Sequence, residues 1–361
     1  MKSIIIEGIV VFIAAFIITR SSIQLLSKNA IRLGLVDKPN ARKIHKKPIP
    51  IIGGIAIVIG VLFAFLLSQN IQELITKHFI VLGSTLAIFL IGVWDDKVDL
   101  SPKLRLIIQL SAAIAISLSG IRIESLHGIF GIEQIPLFAQ HTITVIIITG
   151  VSNAFNLVDG IDGLAGSLAL LNVTILAILF AIIGNYAASL IFITFIGALI
   201  PFLTANNHPA RIFMGDGGSM MLGFFTALSG IYFIQQNSIE FIIPEGLSVI
   251  LISSILIIPV VDALRVFIGR YAKGNSIFTP DKSHLHHLIL DFGINHFFVT
   301  NTILLIEIAL VGIALFLFQF YSITAIMILL FAGLLLITKV LKFNTGLTQW
   351  QQKMKELEKR Q

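Results

Sequence analysis

Asn153-Ala-Phe-Asn156-Leu-Val-Asp159-Gly-Ile-Asp162-Gly-Leu-Ala-Gly166 sets two carboxylates, two carboxamides and three glycines between long apolar runs. Thr142 to Val151 precedes it, almost all Ile, Val and Thr, and Leu168 to Ile183 follows it. With 56% hydrophobic residues and a mean hydropathy of +0.97, the chain reads as a membrane protein on composition. A polar knot at the junction of two spans is then a functional-site candidate. Asp159 and Asp162 lie three residues apart, so on a helical turn both would face one way. The competing reading is a plain connection between spans, where Asp-Gly and Asn are ordinary turn chemistry.

Outward from this stretch, the pattern is that of an all-α polytopic integral membrane protein. A helix needs roughly 20 apolar residues to cross a bilayer, which gives about eleven transmembrane helices at roughly 3–27, 51–68, 78–94, 104–119, 142–157, 163–183, 187–204, 218–236, 246–268, 298–317 and 322–341. The segment from Ile121 to Gln140 alternates at first and carries Gly128 and Gly131, which suits a short extracytoplasmic β-hairpin. No segment is long and polar enough for a separate soluble domain. Residues 1–341 are expected to form one transmembrane domain and 342–361 a cytoplasmic tail, amphipathic through Leu347, Trp350, Met354 and Leu357. Ile4 to Leu26 is too long for a signal peptide and lacks a small-residue cleavage site, so it reads as a retained span. The absence of Cys excludes disulfides and thiolate metal sites.

A net charge of +6 would also suit nucleic acid, but in a polytopic chain it is better explained by inward basic loops and anionic substrates or lipids. Lys28, Arg32, Lys38, Arg42, Lys43, Lys46 and Lys47 in the first loop place that loop in the cytoplasm and the N-terminus outside. The opposite face then holds only Lys2, Lys77 and Arg122, and the C-terminus lies inside. All ten Asp fall on inner loops or inner span ends, whereas Glu7, Glu73, Glu124, Glu133, Glu240 and Glu245 mark the outer face. The polar chemistry belongs to one face.

Four further inner stretches carry candidate chemistry. Asp95-Asp96 repel each other, and a cation would compensate them; Mg²⁺ fits because it takes oxygen ligands and bridges carboxylates to phosphates. The alternative is neutralisation by Lys97, Lys103 and Arg105. Gly215-Asp216-Gly-Gly218 opens a helix, where free N–H groups favour phosphate and the acid could hold a metal; otherwise Asp216 is an N-cap. His284-Leu-His286-His287 gathers three of nine His: a weak zinc signature, a phosphate or sugar contact, or a structural loop. Arg42, Lys46 and Lys47 bunch beside Pro and Gly in a manner that suits an anionic headgroup.

In this order the motifs resemble those of the polyprenyl-phosphate N-acetylhexosamine-1-phosphate transferases (glycosyltransferase family 4). Gly34-Leu-Val-Asp-Lys-Pro-Asn40 and Pro280-Asp-Lys-Ser-His-Leu-His-His287 are similar to the N-acetylglucosamine-1-phosphate branch. The peptidoglycan muramoyl-pentapeptide branch has Thr-Pro-Thr-Met-Gly-Gly where this chain has Ile49-Pro-Ile-Ile-Gly-Gly54, and three consecutive His. The resemblance implies eleven helices, a cytoplasmic site in a bacterial inner membrane, Mg²⁺ (with Mn²⁺ as a substitute), a UDP-N-acetylhexosamine donor and undecaprenyl phosphate. UMP would be released, and the lipid-linked sugar would start a cell-envelope polysaccharide such as the O-antigen of lipopolysaccharide. Asp216 and one of Asp95 and Asp96 would hold the metal, and the other would meet the lipid phosphate. Asn156, Asp159 and Asp162 would bind nucleotide or order the metal's surroundings. His284, His286, His287 and Arg42 would contact phosphate or sugar, and Lys46 and Lys47 the lipid phosphate. No nucleic acid is expected as a partner; a homodimer is compatible. A secondary transporter is the alternative class, but it would carry ionisable residues at the bilayer midplane, where only Glu307 and Arg20 qualify.

Overall fold

The structure, a computed structural model, describes residues 2–37, 48–274 and 283–358, with residues 345 and 347–358 as backbone only. Arg42, Lys46 and Lys47 therefore lie outside the described residues. The chain is almost entirely helical. The helices are α1 (Lys2–Leu33), α2 (Gly53–Phe65), α3 (Gln69–Lys77), α4 (Phe79–Val98), α5 (Pro102–Leu118), α6 (Leu137–Val158), α7 (Leu164–Ile182), α8 (Tyr186–Asn206), α9 (Gly215–Glu240), α10 (Glu245–Ala272), α11 (Leu285–Leu290), α12 (His296–Leu317) and α13 (Ile323–Glu358).

Each of the eleven expected spans coincides with a helix, but the count is not reproduced. Among the described residues nine helices are long and apolar enough to cross a membrane, or ten if α2 and α3 form one broken span. The 13-residue α2 ends where the chain bends by 105° into α3. Ser68 caps α3 by accepting from the Ile71 N–H at 3.1 Å, and Glu7 of α1 accepts from Ser68 and, at 2.6 Å, from Asn70. The short α5 starts on a capping Ser101 with Pro102 in its first turn, as helix starts prefer.

Helix α9 is the centre of the bundle, packed against α2, α4, α6, α7 and α10 and buried along nearly its whole length. Its first turns admit this because they are small. A Cβ on Gly92 of α4 would lie 2.4 Å from the Gly217 Cα, and one on Gly54 of α2 would lie 2.6 Å from the Gly218 Cα. Backbone contact at these two crossings brings the ends of α2, α4 and α9 to one place. Two backbone bonds fix it: Gly53 N–H to Phe213 O and Gly54 N–H to Met214 O, both 2.8 Å.

Two small antiparallel pairs complete the fold. β1 (Val36–Asp37) and β2 (Ile49–Pro50) pair at the end of the bundle where α9 begins. β3 (Ser125–Ile129) and β4 (Ile132–Gln134) form the expected hairpin at the opposite end, near α10 and α13. Helix α13 runs through residue 342 without a break, so the expected tail continues the last span as helix.

Candidate active site

The C-terminal ends of α4 and α6 and the N-terminal starts of α5 and α9 converge on a cluster of carboxylates. Asp95 is buried; its Oδ1 accepts the Leu100 N–H at 2.7 Å and its Oδ2 accepts from Arg105 Nη1 at 2.5 Å. The same Nη1 lies 3.0 Å from Asp216 Oδ2. Two carboxylate oxygens from different helices thus converge on a single cationic atom. Asn156 donates to the other oxygen, Asp216 Oδ1, at 3.0 Å, and to Ser219 Oγ at 3.1 Å.

Asp96 takes the opposite role. Its Oδ1 accepts the Asp216 N–H at 2.9 Å and its Oδ2 faces the Gly217 N–H at 3.4 Å. It therefore satisfies N–H groups of the first turn of α9, which have no intrahelical partner. Gly215 allows this approach: its φ is +79°, and a Cβ there would sit 2.5 Å from Asp96 Oδ2. The N-cap position of α9 is Met214, so Asp216 is no capping carboxylate and its side chain points into the cluster.

Asp159 and Asp162 do not share a helical turn. Both lie in the non-helical turn between α6 and α7, and their surroundings differ. Burial, together with the charges of Asp216, Asp96 and Asp162, pushes Asp159 up to about 7. Burial would raise Asp162 too, but His296, His208 and the Ala210 N–H outweigh it and hold its carboxyl below the usual range. Asp162 Oδ2 lies 2.7 Å from His208 Nδ1 and 3.3 Å from His296 Nδ1.

The histidine loop packs straight onto this turn. His286 touches Gly160, where a Cβ would lie 2.6 Å from its Nε2. Burial first, then the neighbouring His287 and His284, push His286 down to about 3, so it acts as a neutral hydrogen-bonding ring. His284 stacks on His286 with nearly parallel rings 5.8 Å apart, and His287 lies 4.3 Å from His286. Buried Asp262 of α10 anchors the loop: it sits 2.8 Å from His284 Nδ1 and accepts the Leu285 N–H at 2.9 Å and Arg265 at 2.7 Å.

The cluster includes four residues that the motif reading did not select. Arg105 was seen only as a neutralising neighbour, although a cation near a helix start, against the dipole, is a signal. Asp262 and Arg265 gave no motif, and Asn206 gave none either. Asn206 accepts the Gly163 N–H at 3.0 Å and donates to Ile212 O at 2.8 Å, joining the Asp turn to the loop before α9. The transporter signature is weak. Arg20 is exposed, whereas Glu307 is fully buried in α12 with neither oxygen hydrogen-bonded.

Comparison with known proteins decides the family. Residues 78–234, which include the Asp95-Asp96 pair, the Asn153–Gly166 stretch and Asp216, match the family model for glycosyl transferase family 4. The chain is 32% identical over 295 residues to a probable undecaprenyl-phosphate N-acetylglucosaminyl 1-phosphate transferase of Bacillus subtilis, covering 80% of each chain. The chain belongs to glycosyl transferase family 4. Two further members of that family are the undecaprenyl-phosphate alpha-N-acetylglucosaminyl 1-phosphate transferases of Yersinia pestis and Escherichia coli K12. The first is 32% identical over 82% of this chain and 81% of its own, the second 31% over 78% and 76%. A family 4 member is an enzyme, and the carboxylate cluster lies within the residues that the family match spans.

Proposed function

We infer that this family 4 enzyme transfers N-acetylglucosamine 1-phosphate to undecaprenyl phosphate. The relatives carry that activity in their names over about four-fifths of the chain. The observation that carries it here is the convergence of Asp95 and Asp216 on one cationic atom, beside Asn156 and a glycine-rich helix start. The donor is a UDP-sugar. A lipid phosphate oxygen attacks the sugar-linked phosphorus, forming a new P–O–P bond. The old diphosphate bond breaks, and its electron pair leaves with UMP.

Such a transfer brings two anions together, so it needs charge neutralisation and in-line positioning more than covalent chemistry. The carboxylates of Asp95 and Asp216 are hard oxygen donors that already accommodate a positive charge, with Asn156 donating to Asp216. These residues fit Mg²⁺, and Asp216 with Asp95 would hold it. Bound there, Mg²⁺ would screen the diphosphate and stabilise its leaving oxygen. Arg105, whose Nη1 lies between the two carboxylates, would yield that place to Mg²⁺ and keep its charge beside the diphosphate. Asp96 fixes the N–H groups of α9 and is the acid left to orient the lipid phosphate, whose second ionisation lies near neutrality. Asp159, with its raised carboxyl, sheds its charge readily as an anionic substrate approaches. His284, His286 and His287 are assigned to phosphate or sugar on the motif, with His284 anchored by Asp262. Arg42, Lys46 and Lys47 are assigned to phosphate on sequence alone.

The Lys and Arg asymmetry supports a site on the cytoplasmic face of a bacterial inner membrane, with the N-terminus outside and the C-terminus inside. The product would start a cell-envelope polysaccharide, with the O-antigen as one such polymer, and a homodimer is compatible with this role. The test is direct. Purified protein is incubated with Mg²⁺, undecaprenyl phosphate and a panel of UDP-sugars, and UMP and lipid-linked sugar are measured. UMP with UDP-N-acetylglucosamine supports the reading. No UMP with any UDP-N-acetylhexosamine, together with uptake in sealed vesicles, would overturn it.

A further inference from the structure

Beside the carboxylate cluster lies a second constellation of different chemistry. Asp162 of the turn before α7, His208 of the loop after α8 and His296 at the start of α12 meet across more than a hundred residues of sequence. One ligating atom from each lies within 4.8 Å of the others: Asp162 Oδ2, His208 Nδ1 and His296 Nδ1. The two imidazoles face one another at 4.9 Å between ring centres.

Two of the three positions are firmly held. The Asp162 carbonyl accepts from Thr300 Oγ1 of α12 at 3.1 Å, and its Oδ2 accepts the Ala210 N–H at 3.2 Å. His296 sits in the first turn of α12, behind Asn295, which caps that helix by accepting the Phe298 N–H at 3.1 Å. His208, the most exposed of the three, is free to adjust.

The environment of His296 Nδ1 points to a cation. It accepts the Asp162 N–H at 3.4 Å, which requires a lone pair on that nitrogen. The same nitrogen lies 3.3 Å from the Asp162 carboxylate, so a proton or a metal ion can bridge the two. A metal ion seated there would use the nitrogen's lone pair and offset the carboxylate charge together. Ligand lengths of about 2.0–2.2 Å in a tetrahedral zinc site imply ligand-to-ligand edges of roughly 3.3 Å. The His296–Asp162 edge is 3.3 Å; the His208–Asp162 edge is 2.7 Å and opens as the exposed His208 moves outward. Two imidazole nitrogens with one carboxylate suit Zn²⁺ and disfavour Mg²⁺, which separates this constellation from the oxygen donors of Asp95, Asp96 and Asp216.

We propose that Asp162, His208 and His296 form a zinc site that clasps the Asp turn, the loop before α9 and the start of α12 at the inner end of the bundle. Three protein ligands leave a coordination position for water or a substrate oxygen. The site rests on its own residues and does not depend on the transfer reaction.

The test uses full-length protein purified without a polyhistidine tag, stripped with chelator and kept in excess Mg²⁺ so that hard-oxygen sites are filled. Zn²⁺ is then titrated against a chromophoric competitor. Wild type is expected to take one equivalent, and His208→Ala and His296→Ala each to weaken it by more than ~10-fold, since even partners outside the ligand set cost that much. His284→Ala with His287→Ala should leave the equivalent in place. Should the variants fold poorly, wild type alone still decides: Zn²⁺ should raise its thermal midpoint, and Co²⁺ should give the visible bands of a tetrahedral site that Zn²⁺ then abolishes. Wild type that binds no zinc, or zinc lost only in the His284/His287 variant, would overturn the proposal.

Discussion

The inner end of the bundle has two halves built on opposite terms. In the half formed by α4, α5 and α9, three carboxylates crowd together and share one guanidinium and a set of helix-start N–H groups. In the half formed by the Asp turn, the loop before α9 and the histidine loop, each acid has histidine partners of its own: Asp162 with His208 and His296, Asp262 with His284 and Arg265. Asp159 and Asp162, three residues apart, sit on either side of the divide, and one is raised while the other is held low. The first half holds more negative charge than its single guanidinium balances, a charge that favours a cation. In the second, each acid is paired, which suits a scaffold.

The largest expected effect tests that division directly. Asp216→Asn keeps size and removes charge, so transfer should fall by ~10³-fold or more with the thermal midpoint unmoved. Wild-type UMP release with an unchanged Mg²⁺ titration would reduce the first half to a brace for α9. Next come Asp95→Asn and Asp96→Asn, each expected to lose at least ~10²-fold in turnover. Asp95→Asn should also shift the Mg²⁺ dependence, whereas Asp96→Asn should leave it intact; the reverse pattern would exchange their roles. Arg105→Ala belongs to the same group, and Arg105→Lys should recover part of the loss, since it restores charge without the planar fork.

A smaller effect belongs to the balanced half. Asp262→Asn unties His284 while leaving the helix in place, and should cost ~10-fold to ~10²-fold, chiefly in KM for the UDP-sugar. An effect as large as that of Asp216→Asn would erase the distinction between the halves.

The smallest effect is one of stability. In the fold Asp159 ionises near 7, against 3.8 for the free side chain. Between those values the folded chain keeps a proton that the unfolded chain has released, so this group's contribution falls as pH rises from about 4 to above 7. Asp159→Asn imitates the protonated acid. In metal-free detergent its thermal midpoint should match wild type near pH 4.5 and exceed it at pH 8. A constant difference at both pH values would mean that the charge of Asp159 is not opposed by its neighbours.

Much of this arrangement was legible in the chain. Apolar length placed a helix at each expected span, and the alternation and glycines after Ile121 placed the hairpin. The count of eleven is not reproduced at α2 because composition carries no information on a bend, here one where Ser68 donates to Glu7 of α1. The helical-turn reading of Asp159 and Asp162 failed for a similar reason. Their spacing is helical, but Gly163 at φ +78° and the hydrogen bond from its N–H to Asn206 break the turn. Arg105, Asn206, Asp262 and Arg265 carried no motif, since Arg105 and Asn206 meet partners distant in sequence and the Asp262–Arg265 pair takes its meaning from the histidine loop.

The sequence by itself determined the class of molecule and the motifs of the family. These depend on local composition, on the cost of burying charge in lipid and on the spacing of reactive groups. Tertiary structure alone decided which acid faces which partner. Close glycine crossings at Gly54, Gly92, Gly217 and Gly218 bring helix ends within hydrogen-bonding reach, and there separations of a few ångströms make Asp95 a partner of Asp216 and send Asp162 to two histidines. Charge interactions at that range depend on distance and burial, and neither is encoded in the spacing of residues along the chain.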